Sequence, residues 1–245
     1  FVLKDNLRNI IRGRFSAVRE QVGYKLPALL RGRSSAAHGS AETLVGDDAE
    51  RDAFIYSLYA DLLAHRVSES DLAEVLELAK VYQDDQDEIW GHWKNLSCED
   101  PVNRIIIHLD GRSPPQRFHA YGPRLVPVYN YFQAAHILFQ DGHLREASLE
   151  TLTIVFQEHF GVSASTLQRG LCDLQMRGAL KRETLEQCLE GVSGDGRLRP
   201  ILEAVLKTVR PDVRSVSQRD FSLDYPALLR REYDIQNMER RQRGH

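Results

Sequence analysis

Apolar residues recur along most of this chain at intervals of three and four, the spacing that collects them on one face of a helix. Phe54, Ile55, Leu58, Tyr59 and Leu62 make one such stripe, and Leu72, Val75, Leu76, Leu78 and Ala79 make the next. A turn at His65 to Val67 separates them, with Ser68 or Ser70 as N-cap of the second helix and Asp47 and Asp48 ahead of the first. Trp90 and Trp93 follow the acidic run Asp84 to Glu88. Tyr131, Phe132, Ala135, His136 and Phe139 form a third stripe, and Leu149, Leu152, Val155 and Phe156 a fourth. Further helices are expected over 163–178, 181–191 and 199–209. Only Arg104 to Leu109, with its run of isoleucines, reads as a strand. Gly111, Pro114, Pro115, Gly122, Pro123 and Pro127 mark an irregular connection after it.

This pattern predicts an all-α protein, a helical bundle of repeated helix-loop-helix hairpins with extended N- and C-terminal arms. Its parts are a basic N-terminal arm (1–33), a small and polar linker (34–48), a helical core (49–211) and a polar tail (212–245). Within the core, the first hairpin covers 49–97, the irregular connection 98–127, and the second hairpin with its following helices 128–211. A shift of 77 residues lays one hairpin on the other: Phe54 meets Tyr131, Leu62 meets Phe139, Glu69 meets Glu146 and Leu72 meets Leu149. A third turn, Asp195-Gly196, repeats the letters of Asp141-Gly142. The sequence Pro-Ala-Leu-Leu-Arg occurs at 27–31 and again at 226–230, each a candidate helix start with proline in the first turn.

Helix, Asp-Gly and helix is also the outline of a calcium hand, but the oxygen ligands such a loop needs are missing. The frame on Asp141 puts Ile137, Phe139 and Ser148 at ligand positions. The same residues, Asp141, Gly142, Leu144, Glu146, Leu149, Phe160 and Gly161, resemble the helix-loop-helix of the TerB-like (tellurite-resistance) helical domains over about 50–95 and 128–190. The resemblance implies a helical fold, and in that family facing acidic residues hold a metal. Here Ala64-His65 replaces the acidic-Gly turn of the first hairpin, so no metal ligand is carried over. Residues 161–182 also resemble the turn and recognition helix of GntR-like regulators. In that frame Ser163 caps the helix, and Ser165, Gln168 and Arg169 meet DNA. Against it, Gln157 sits where a small residue lets the two helices cross, and no glycine-rich wing follows Arg182.

The chain of 245 residues is 42% apolar and 27% charged, ordinary for a globular protein. Its net charge of −3 is unevenly spread. Residues 1–33 carry Lys4, Arg8, Arg12, Arg14, Arg19, Lys25, Arg31 and Arg33 against Asp5 and Glu20, which suits an acidic partner. Cys98, Cys172 and Cys188 are an odd number without paired spacing, which points to a reducing intracellular compartment, cytosol or organelle matrix, and not to secretion. The longest uncharged run, Leu125 to Gln140, is too short to span a bilayer, so an integral membrane protein is not expected.

Nine histidines are scattered without a metal-binding or catalytic spacing. His119 is the best lone general base, and Glu99 and Asp100 flank Cys98 with negative charge that dulls it as a nucleophile. No phosphate loop or nucleophile elbow occurs. No catalytic residue, cofactor or metal is therefore expected. The function this predicts is a non-catalytic helical interaction or scaffold subunit of a larger assembly. Its contacts with other protein subunits would run through Arg8, Arg12, Arg14, Arg19, Trp90, Trp93, Arg230 and Arg231. Nucleic acid and a peripheral anionic membrane are the other partners that such a basic arm suits. The alternative is a DNA-binding transcriptional regulator using a helix-turn-helix at 152–178.

Overall fold

The computed structural model describes residues 17–111, 113–208 and 221–243. It corrects the all-α, helical-bundle expectation: the protein is mixed α/β, with a three-stranded parallel sheet in the order β1-β2-β3 packed among helices. The strands are β1 (Glu42–Asp47), β2 (Val102–His108) and β3 (Leu125–Val128). Val45 pairs with Ile106 and Asp47 with His108; Ile106 in turn pairs with Val126, and His108 with Val128. Helix α1 (Ala17–Ser34) precedes β1. The chain crosses from β1 to β2 through α2 (Asp52–Leu63), α3 (Glu69–Leu78) and α4 (Gln83–Trp93), and from β2 to β3 through a 3-10 helix, Pro115–Tyr121. After β3 come α5 (Tyr131–Gln140), α6 (Glu146–Glu158), α7 (Ala164–Met176), α8 (Arg182–Gly191) and α9 (Leu198–Thr208). Helix α10 (Tyr225–Arg243) closes the described chain.

The sheet divides two apolar cores, as the two-residue alternation of a strand requires. Ile105, Ile107 and Leu125 face one core with α1 to α4, the 3-10 helix and the first turns of α10. Ile106, Val126 and Val128 face the other, with α5 to α9. The strand expected at Arg104 to Leu109 is β2. Strand β1 lies in the stretch read as a linker, because its apolar residues are only Leu44 and Val45. Strand β3 lies where an irregular connection was expected, because it contains Pro127. A proline supplies no N–H to a ladder and is tolerated at a sheet edge, which is where β3 sits.

The helical readings of 163–178, 181–191 and 199–209 match α7, α8 and α9. Ser68 caps α3 by accepting from Asp71 N (3.1 Å), and Ser163 caps α7 by accepting from Thr166 N (3.2 Å). Asp47 does not cap α2; it accepts from Ala49 N and Glu50 N in the turn before it. The 77-residue shift holds at the level of backbone bonds. Helix α2 ends with Ala64 N on Ala60 O, His65 N on Leu62 O and Arg66 N on Asp61 O. Helix α5 ends with Asp141 N on Ile137 O, Gly142 N on Phe139 O and His143 N on Leu138 O. His65 and Gly142 hold the same left-handed position, at φ 50° and 80°. Asp195-Gly196 does not copy this turn. It lies in a loop, with Gly196 N on Ser193 O.

The arms of the expected bundle are also corrected. Val22, Leu26 and Leu30 of α1 are fully buried, and so are Tyr225 (2% exposed) and Leu229 of α10. The repeated Pro-Ala-Leu-Leu-Arg thus marks two helices that anchor the same core, with Leu26/Leu30 and Tyr225/Leu229 as equivalent pairs one turn apart. Pro226 is in the first turn of α10 as expected, whereas Pro27 lies inside α1.

Candidate functional site

Parallel sheets are normally covered on both faces, since their crossovers lay helices there. Strand β1 departs from this rule on one face. Leu44 packs against the α2 core, and Gly46 approaches α2 so closely that a Cβ there would stand 2.6 Å from the Asp52 Cβ. Thr43, Val45 and Asp47 therefore point to the opposite side, where α5 lies over β2 and β3. Contacts along α5 fix that side. At one end His108 stacks on Tyr131, ring centroids 5.0 Å apart. At the other, Arg104 makes two bonds to Asp141, 2.8 and 2.7 Å, and His143 Nε2 lies 3.3 Å from Thr43 Oγ1. On this side Val45 of β1 is 55% exposed and Tyr131 of α5 is 63% exposed, and the open strip between β1 and α5 that carries them is the trough. Tyr129, just past β3, is exposed beside Tyr131 in sequence.

The outer edge of β1 is less available than its face. The Tyr56 hydroxyl donates to Val45 O (3.4 Å), and Asp47 N–H donates to the Asp52 carboxylate (3.2 Å). Side chains of α2 thus occupy backbone groups that another strand would use.

The end of the trough nearest Asp47 is the carboxyl end of the sheet, where open α/β sheets place their ligands. It is acidic, with Asp47, Asp48 and Asp110. Asp48 ties the loop after β1 to the loop after β2 by accepting from Gly111 N (2.6 Å) and Ser113 N (2.8 Å). Burial opposes its charge, but these backbone donors outweigh burial and hold its pKa below the usual carboxylate range. Lys25 of α1 reaches the same end and pairs with Glu50 and Asp52. Burial works against the Lys25 charge, and the bonds to the two carboxylates override it, so its pKa is raised. Burial raises Asp52, with Lys25 opposing.

Two polar clusters lie under α10. Asp61, 2% exposed, accepts from the Tyr225 hydroxyl (2.7 Å), Arg66 (3.3 Å) and Arg124 (3.4 Å). Glu232 accepts from Arg117 (2.6 Å) and Tyr121 (3.0 Å), and the Arg51 guanidinium sits 4.8 Å from the Tyr233 ring centroid. Burial and then the Glu232 charge push the Tyr121 phenol well up, and burial and then Asp61 do the same to Tyr225. These groups fasten α10 to α2 and to the 3-10 helix.

The residues singled out from sequence are dispersed. Arg8, Arg12 and Arg14 lie outside the described residues. Arg19 is in the first turns of α1. Trp93 is buried and donates its indole N–H to Leu62 O (2.9 Å), so it belongs to the core and not to a partner surface. Trp90 is half-buried beside it. Arg230 pairs with Glu74, and Arg231 is exposed. Among the described residues of the basic stretch, Lys25 pairs with Glu50 and Asp52, Arg31 with Glu88, and Arg33 with Glu42 and Glu99. Ser165 and Arg169 are exposed on α7 and Gln168 is half-buried, with Arg169 donating to Thr166 Oγ1 (3.2 Å). Helix α8 follows where a wing would stand. His119 and Cys98 are exposed. Among the described residues no group of three or more His, Cys, Asp or Glu is placed to hold a metal, and no helix is long and apolar enough to cross a membrane.

The trough went unread in the sequence. Its floor is a strand hidden in a polar stretch, and Tyr131 reads as one more apolar residue of a helical stripe. No family model, curated protein or solved structure matches the chain.

Proposed function

We propose that this protein is a non-catalytic interaction module that receives an amphipathic helix of a protein partner in the trough between β1 and α5. The observation that carries this reading is the exposure of Val45 on the face of a parallel sheet, with Tyr131 of α5 also exposed, a place where a globular protein ordinarily lays a helix of its own. Its chemistry favours a helix with an apolar stripe for Val45 and Tyr131 and basic residues for the acidic carboxyl end of the sheet. The interaction role is the one expected from sequence, moved from the terminal arms to a face of the sheet.

The test is a selection of random 16-residue peptides on the full chain. Enriched peptides are expected to bind at least about tenfold more weakly when Val45→Asp and Tyr131→Ser are added, a loss of about 1.4 kcal/mol. The urea midpoint should not change. Equal binding to both proteins, or no enrichment, overturns the proposal.

A further inference from the structure

We infer that this protein pairs with a second copy of itself, the projecting half of α10 from each copy lying in the trough of the other. The inference rests on the reading of the trough as a helix-receiving face. Three observations support it.

The first is direction. Helix α2 starts at the carboxyl end of the sheet, where the Asp52 carboxylate accepts from Asp47 N (3.2 Å). It ends at the amino end, where Leu63 O accepts from Glu99 N just before β2. Helix α10 runs the other way. Tyr225 donates to Ser57 O and to Asp61 near the end of α2, and Tyr233 lies under the Arg51 guanidinium, ahead of the start of α2. Beside α3, Arg230 pairs with Glu74, and the Tyr233 hydroxyl donates to the carbonyl of Leu78 (3.1 Å), the last residue of that helix. Residues 234–243 then carry α10 past α3 and beyond the carboxyl end of the sheet, as about 15 Å of helix.

The second is symmetry. Helix α10 packs on the face of the sheet that carries Ile105 and Ile107, and the trough lies on the face that carries Ile106. Both reach the carboxyl end. A two-fold axis in the plane of the sheet, across the strand ends, sets two copies carboxyl end to carboxyl end with one of them turned over. The α10 face of each copy then continues into the trough face of the other. Such an exchange is reciprocal, so it closes at two copies.

The third is chemistry. On the projecting stretch Met238 is 60% exposed, and Ile235 is half-buried one turn before it on the same side of the helix. A methionine thioether packs well against an aromatic ring, which Tyr131 presents. The sequence after Met238 adds Arg240, Arg241 and Arg243 against Glu239, and the trough opens at Asp47, Asp48 and Asp110. This is the short apolar stripe with basic residues that an acidic-ended trough favours.

The two contacts are small. The dimer should be half-formed at about 10 µM and the chain largely a monomer at about 1 µM.

The experiment is sedimentation equilibrium on the full chain, on Val45→Asp, on Met238→Asp and on an equal mixture of the two variants. Each variant alone has lost both contacts of the dimer, and its dissociation constant should rise about a hundredfold. The mixture keeps one good contact, between the trough of Met238→Asp and the α10 of Val45→Asp, and its constant should rise only about tenfold. Urea midpoints at about 1 µM check that both variants are folded; Tyr131→Ser replaces Val45→Asp if that midpoint drops. A native chain that is monomeric at about 100 µM overturns the inference. So does a dimer that either substitution leaves intact, or a mixture that associates no better than its components. The proposed function fails separately, if no selected peptide depends on Val45 and Tyr131; a monomeric chain that still selects such peptides loses only the pairing.

Discussion

His136 is fully buried in α5, its Nδ1 2.8 Å from Phe132 O, and its Nε2 meets no hydrogen-bond partner among the described residues. Burial pushes its pKa down to about 4, with the Phe132 carbonyl opposing. The fold therefore favours the neutral ring, and protonation favours unfolding. Stability is complete above pH 6.5 and is lost as pH falls toward 4, by up to about 3 kcal/mol. Urea midpoints taken across that range should fall for the native chain, and His136→Phe should flatten that fall. A native midpoint that does not move would contradict the assignment. The Asp61 cluster predicts a hierarchy. Asp61→Ala removes the carboxylate that Tyr225, Arg66 and Arg124 share, leaving Asp100 to the two arginines, and should cost about 2–3 kcal/mol, whereas Tyr225→Phe removes one hydroxyl donor and should cost about 1 kcal/mol. Equal losses from chemical denaturation would deny Asp61 its place at the centre.

The two hairpins give a paired prediction about their elements. The residues that end α2 and α5 make the same three backbone bonds, yet one left-handed position holds His65 and the other Gly142. A side chain in that conformation costs about 1 kcal/mol relative to glycine. His65→Gly should stabilise the protein and Gly142→Ala should destabilise it, each by roughly that amount in thermal or urea unfolding. Both turns were legible from residue spacing, because a helix C-terminus is closed by local bonds. The caps at Ser68 and Ser163 were legible for the same reason, and Ser163→Ala should cost about 1 kcal/mol. Strands β1 and β3 were not legible. A strand's bonds go to a partner far away in sequence, and neither Glu-Thr-Leu-Val-Gly-Asp nor Leu-Val-Pro-Val declares that partner.

For the molecule as a whole, burial separates what holds the fold from what faces outward. Leu229 is a core residue, so Leu229→Ala should cost about 2–5 kcal/mol, where a tail lying free would lose nothing. Val45→Asp should change stability by no more than about 0.5 kcal/mol, because the site is open. A large loss from Val45→Asp in the full chain would show that the trough is filled by something the fold needs.

The sequence by itself determined the helices of the two hairpins and the three that follow, the caps at Ser68 and Ser163, the shared turn of the two hairpins and the strand through Ile105, Ile106 and Ile107. These depend on residues within one or two turns of each other. Tertiary structure alone decided that β1 and β3 are strands, that α1 and α10 close one core, and that Val45 and Tyr131 are left bare while Trp93 is buried. Each of these depends on which distant surface a residue meets. A periodic pattern says that a face is apolar; it does not say whether another part of the chain covers it.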